Sequence, residues 1–166
     1  MYGDKMRFKV GDKAVYPAHG VAEIKAIETK EVSGTRMDFY VLEIVSSGAR
    51  LMVPTLASER AGMRNLINDE QITNVYSILK GPGHVSQRAW NRRFREFSEK
   101  LRASSINEVA EVLRDLWALQ GQKELSYGEK QMLEKAMELL KEEICASQGK
   151  QLDDIECRIK DCLAAN

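Results

Sequence analysis

The stretch Asn68–Lys80, NDEQITNVYSILK, is where this chain changes its rhythm. Asn68 carries a side-chain oxygen that can accept from the open N–H groups of a helix's first turn. Ile72, Val75, Tyr76 and Leu79 then recur at three- and four-residue spacing, which puts them on one side of a helix. Gly81-Pro82-Gly83 stops that helix. Upstream the pattern is that of strands and turns, and downstream it is that of helices. The expected fold is α+β in two domains: a β domain over residues 1–66 and a helical domain over 67–166.

Working upstream, Val10-Gly11-Asp12 is a turn signal before Ala14-Val15-Tyr16-Pro17. In the run Gly20–Val32 the apolar residues Val21, Ile24 and Ile27 mix with charges, which fits a long, bent strand. Ser33-Gly34 predicts a hairpin turn. The return strand Asp38–Ile44 is rich in aromatic and β-branched residues that suit a pleated surface. Ser46-Ser47-Gly48 turns the chain again into Arg50–Pro54. Short strands and tight turns within roughly sixty residues predict a small SH3- or Tudor-like β-barrel.

Working downstream, a second helix is expected from about Ser86 to Arg102. A third starts at a Ser104-Ser105 cap, with Ile106, Val109, Ala110, Leu113, Leu116 and Trp117 in line, and ends at Gly121. A fourth opens at Ser126, where Glu129 completes an S-x-x-E capping box. Its stripe is Leu133, Ala136, Met137, Leu140 and Ile144. Gly149 separates it from a fifth helix with Leu152, Ile155, Ile159 and Leu163 aligned. Short connections between amphipathic helices predict a C-terminal five-helix bundle.

The chain has 166 residues, 43% hydrophobic and 30% charged, an ordinary balance for one domain or two small ones. No long uncharged apolar run predicts a membrane span. The opening Met1-Tyr2-Gly3-Asp4-Lys5-Met6 lacks the apolar core of a secretory signal, so a cytoplasmic location is expected. Cys145, Cys157 and Cys162 lack CxxC spacing and read as small apolar residues on helices, neither disulfides nor a metal site. His19 and His84 sit in turns, and no H-E-x-x-H, G-x-S-x-G or phosphate-loop motif occurs. Asp153, Asp154 and Glu156 suit the first turn of a helix. No enzymatic activity, catalytic residue, metal or cofactor is expected.

The net charge of zero hides a split. Lys80–Arg102 holds seven cations against two anions, while Ala103 to the end holds eight against thirteen. A local positive surplus can supply the phosphate-neutralising part of nucleic-acid binding. Within it, Arg88–Arg95, RAWNRRFR, packs four arginines around two large aromatics. On a helix Trp90, Arg93 and Phe94 share a side, and Phe97 and Leu101 continue the stripe from Phe94 into the core. Arg92 and Arg95 share another side. Trp90 either ends the core stripe or projects past it. Its flat apolar face can wedge where base stacking is broken while guanidinium groups hold phosphates. No helix offers a row of Asn, Gln and Arg for sequence-specific base readout, so any DNA contact is expected to be non-sequence-specific.

Several segments carry a resemblance. Phe8-Lys9-Val10-Gly11-Asp12, Ala14-Val15-Tyr16-Pro17, His19-Gly20, Ala26-Ile27-Glu28, Tyr40-Val41-Leu42, Met52-Val53-Pro54, Trp90-Asn91-Arg92-Arg93, Glu108–Leu116 and Leu125–Lys130 resemble the CarD/CdnL family of bacterial transcription regulators. The similarity runs from about residue 7 through nearly the whole chain. The N-terminal part alone also resembles the polymerase-interacting module of transcription-repair coupling factors. The resemblance implies a Tudor-like domain that binds a lobe of the RNA polymerase β subunit. It implies a helical domain that touches promoter DNA at the upstream edge of the transcription bubble and stabilises the open complex. Trp90 then corresponds to a minor-groove wedge, Arg92 and Arg93 to its basic pair, and Arg95 to a further cation. Polymerase contacts fall on the strands holding Lys30, Arg50, Met52 and Pro54. Some relatives carry arginine at the positions of Lys30 and Met52. Lys30 keeps the charge without the planar fork, and Met52 makes its contact apolar. Such a regulator would sit with the nucleoid through polymerase.

Two other readings stand beside this one. One is a nucleic-acid binder with no polymerase partner. The other is a Tudor-like peptide or ligand reader, for which Tyr16, Phe39 and Tyr40 are the only aromatics near enough in sequence to be candidates for a cage. An exposed barrel edge also offers weak self-association.

Overall fold

A computed structural model of the chain describes residues 7–86, 88–103 and 105–165. It divides into two compact units that part between Leu66 and Ile67.

The N-terminal unit is a five-stranded antiparallel sheet: β1 (Lys13–Tyr16), β2 (Gly20–Val32), β3 (Thr35–Ile44), β4 (Arg50–Pro54) and β5 (Arg64–Asn65). The strands lie in the order β4-β3-β2-β1-β5, so β4 and β5 are the edges. Ser33-Gly34 joins β2 to β3, with Val32 facing Thr35. The bend expected in β2 has a local cause. The register slips between Ile24 and Ala26, so Lys25 is an extra residue against β3, and such a bulge bends and twists the strand that carries it. Phe8, Ile24, Tyr40, Leu42, Ile44, Val53 and Met63 fill the core under the sheet. Tyr40 is fully buried, its hydroxyl accepts the Phe8 N–H at 3.2 Å, and its ring meets the Phe8 ring edge-on. A cage wall must be open to a ligand, so Tyr40 cannot serve as one. Strand β5 was not expected: two residues, one charged and one polar, give no periodic signal.

The C-terminal unit holds α1 (Asp69–Lys80), α2 (Trp90–Arg102), α3 (Ile106–Gln120), α4 (Tyr127–Gln148) and α5 (Leu152–Ala164). Asn68 and Gln71 close a reciprocal capping box at the start of α1. The stripes of α1, α3, α4 and α5 interlock in one core that includes Val75, Leu79, Leu113, Leu116, Leu140, Ile144, Ile155 and Ile159. Helix α2 is different, since only Leu101 is fully buried on it.

Three sequence expectations shift here. Helix α2 begins at Trp90, not near Ser86. The Ser86 hydroxyl accepts the Arg88 N–H in a local turn, and Ala89 is in extended backbone, which delays the helix. Phe94 was expected to lead into the core and is 46% exposed. Its ring packs edge-on against Trp90, and the core contact of α2 falls to Trp90, Phe97 and Leu101. Ser105 makes no side-chain bond at the start of α3, and Ser104 lies outside the described residues.

Buried carboxylates pin the loops of this unit. Glu143 accepts the Ile67 N–H at 2.9 Å, and Ser147 donates its hydroxyl to the Ile67 carbonyl, so α4 holds the segment entering the unit. Asp115 on α3 accepts the His84 N–H at 2.9 Å and also lies 3.0 Å from Arg114 Nε. A buried carboxylate needs such partners to offset its desolvation. Cys162 is buried, Cys145 half-buried and Cys157 exposed, all three free.

Candidate functional site

The loop ahead of α2 is held close to α3. A Cβ on Gly83 would stand 2.4 Å from the Cβ of Ala118 and 3.1 Å from the Arg114 carbonyl oxygen, so only glycine allows this approach. Together with the Asp115–His84 bond, this contact sets where the chain leaves α3's surface to begin α2.

Trp90 is the first residue of α2 and is half-buried, with part of its ring against the core. The indole packs against the core, and the residue as a whole stays partly exposed. Phe94 braces it at 5.5 Å between ring centroids, and the Arg93 guanidinium lies over it at 5.4 Å, a cation–π contact. Arg93 Nε is buried and has no hydrogen-bond partner among the described residues. The ring's Cζ2 lies over Gly128, in the first turn of α4.

Around the indole the cations differ in freedom. Arg88 is ion-paired with Glu96, and Arg92 approaches the same carboxylate at 3.9 Å. Glu96 therefore holds two arginines on one side of the helix, which the sequence reading did not anticipate. Arg95 is exposed and pairs with no acidic side chain among the described residues. The first turn of α2 has no acidic residue, so nothing there offsets the positive helix terminus. Arg93 thus lies against the indole, while Arg92 and Arg95 are exposed on another side of the same helix, which contributes little to the core.

In the N-terminal unit, Arg50, Met52 and Pro54 alternate along edge strand β4 and face away from Leu51 and Val53. Lys30 comes from β2, two strands away, yet its ammonium lies 3.6 Å from Met52 Sδ. Lys30 is also 3.9 Å from Glu28, and Arg50 is 3.4 Å from Glu43. All four residues expected on the polymerase side therefore lie on or beside one edge. A groove of about 510 Å³ opens next to Pro54, bordered by Arg36, Met37, Asp38 and Leu56, the last 75% exposed. Sequence reasoning missed it, because a lone leucine in a turn carries no periodic signal. Among the described residues no group of three or more His, Cys, Asp and Glu could hold a metal ion, and no helix is long and apolar enough to cross a membrane.

Comparison with known proteins accounts for both units. The family model for the CarD C-terminal domain matches residues 74–160, and that for the CarD-like/TRCF RID domain matches residues 8–67. The chain belongs to the CarD/CdnL family. Within it, YdeB of Bacillus subtilis (strain 168), described as a candidate transcription factor, is 31% identical over 142 residues, spanning 86% of this chain and 93% of YdeB. The solved structure of CdnLNt from Myxococcus xanthus is 43% identical over a region covering 42% of this chain and 97% of that one, with a TM-score of 0.33. This CarD/CdnL-family chain is a transcription factor by descent, and Trp90 and its arginines lie inside the segment matched by the C-terminal model.

Proposed function

We propose that the chain docks on the β subunit of RNA polymerase through its N-terminal unit and stabilises the promoter open complex. Trp90, Arg92, Arg93 and Arg95 act at the upstream edge of the bubble. The observation that carries this reading is the state of Trp90: a large ring braced by Phe94, Arg93 and Gly128, on a residue only half-buried, at the start of a positively charged surface helix. A braced ring loses little conformational freedom when it meets a base step, so more of the contact energy is left for binding. An apolar wedge favours DNA whose stacking is already broken, and the arginines neutralise phosphates on either side.

The N-terminal unit supplies the tether. Its five-stranded antiparallel sheet suits a Tudor-like domain, and β4 is an edge strand able to accept a strand from a partner. Lys30, Arg50, Met52 and Pro54 flank that edge and are the proposed polymerase contacts. Docking raises the effective concentration of a weak DNA-binding face at one place on the promoter. A preference for opened over closed DNA of about 1.4 kcal/mol then shifts that equilibrium tenfold. The working location is the nucleoid, reached through polymerase.

Open-complex lifetime measured with RNA polymerase of the source organism tests this reading. Trp90→Ala is expected to fold, to be retained on polymerase, and to shorten the lifetime; an unchanged lifetime would refute the wedge. Met52→Glu is expected to lower recovery of the β subunit in a pull-down, and equal recovery would count against that edge.

A further inference from the structure

We propose that Gly128 is a positioning residue for Trp90: the missing side chain forms the seat on which the indole lies, and it sets the pose in which the ring meets DNA. This rests on the reading of Trp90 given above. Gly128 is the second residue of α4, in its first turn, where the helix itself does not require glycine. A Cβ at this position would stand 3.2 Å from Trp90 Cζ2, inside the about 3.5–4.0 Å at which carbon atoms pack. The atom it meets is the benzo edge of a rigid ring. That edge moves only if the whole indole turns, and Phe94 and the Arg93 guanidinium resist the turn.

The floor of the seat is stiff as well. The Ser126 hydroxyl accepts the Glu129 N–H at 3.3 Å and donates to the Glu129 carboxylate at 3.0 Å. That carboxylate, 2% exposed, also lies 3.6 Å from the Lys123 ammonium. With the first turn of α4 held this way, the strain of an added methyl falls on the ring. The indole must give by a few tenths of an ångström, which displaces it from the pose in which it meets a base step, so the preference for opened DNA weakens while the fold survives.

The test is a double-mutant cycle in the full chain. Trp90→Phe removes the atom that the new methyl would touch, so the effect of Gly128→Ala is expected to vanish in that background. In a Trp117→Phe background Trp90 is the only tryptophan, and Gly128→Ala is expected to shift the tryptophan emission. On its own Gly128→Ala is expected to shorten open-complex lifetime by about fivefold, with recovery of polymerase unchanged. The proposal is overturned by unchanged emission, or by an equal loss of lifetime in the Trp90→Phe background. It is also overturned if Trp90→Ala shortens the lifetime and Gly128→Ala does not. If Trp90→Ala has no effect on lifetime while residues 90 and 128 still couple in emission and melting temperature, the seat stands and the wedge alone falls.

Discussion

Replacing Gly83 by alanine probes the contact that launches the Trp90 helix. The new Cβ would begin 2.4 Å from the Ala118 Cβ, against the about 3.5–4.0 Å of a relaxed carbon contact, so more than about 1 Å must open between loop and helix. Neither atom can rotate away, because both are fixed to backbone. The loop cannot retreat freely either, since the His84 N–H is bonded to Asp115. Overpacking of this kind costs about 1–3 kcal/mol. Restriction of the unfolded chain by Gly→Ala returns about 0.4–1 kcal/mol, leaving a net loss of about 1–2 kcal/mol. For a unit of 100 residues, each kcal/mol moves the melting temperature by about 4–8 °C, so Tm should fall by about 5–15 °C. The far-UV signal reports this unit, because the helices lie in it. Ala118→Gly supplies the control. By itself it costs about 1 kcal/mol of helix propensity, but it removes the 2.4 Å clash and leaves only the 3.1 Å approach to the Arg114 carbonyl oxygen, so most of the Gly83→Ala cost should disappear in the double variant. A Gly83→Ala protein as stable as the parent, or a full cost that persists in the double variant, would refute the steric argument.

Two further outcomes follow from charges. Burial, and then repulsion from Glu138, push the Glu142 carboxyl above its ordinary value. Between the unfolded and folded values the folded chain holds more protons, so stability falls as pH rises through that window, and the penalty is fully present at neutral pH. Glu142→Gln should therefore stabilise the protein at pH 7 by a few tenths of a kcal/mol, discounted for solvent screening. The gain should vanish once acid protonates the glutamate, and urea titrations at both pH values check this. Arg95 has no acidic partner among the described residues. Arg95→Ala should leave the melting temperature unchanged and reduce the slope of log affinity for DNA against log salt by about one, measured by fluorescence anisotropy across a salt series.

Much of the architecture was legible along the chain. The three- and four-residue spacing of Ile72, Val75, Tyr76 and Leu79 placed α1, and Asn68 capped it as its chemistry requires. Ser126 capped α4 through the Glu129 N–H, although the Glu129 carboxylate turned to the Ser126 hydroxyl and Lys123 instead of the cap backbone. The RAWNRRFR stretch marked Trp90 and its arginines as the residues to watch. Phe94 misled, because its place in the stripe is the same whether α2 lies flat on the bundle or leans on it through Phe97 and Leu101.

What remained hidden is set by approach through space. Arg88 reaches Glu96, already the i,i+4 neighbour of Arg92, because the helix starts late, at Trp90. Lys30 meets Met52 across an intervening strand, and Glu143 holds Ile67 from 76 positions away. Gly83 and Gly128 read as a loop breaker and a poor helix residue until Ala118 and the indole appear above them. Periodicity and capping act between residues within about four positions of each other, so they are written in order along the chain. The seat of Trp90 and the grouping of Lys30 with Met52 at the β4 edge depend on which surfaces come within contact distance after packing, and dispersion and steric exclusion decide that over a few ångströms in three dimensions.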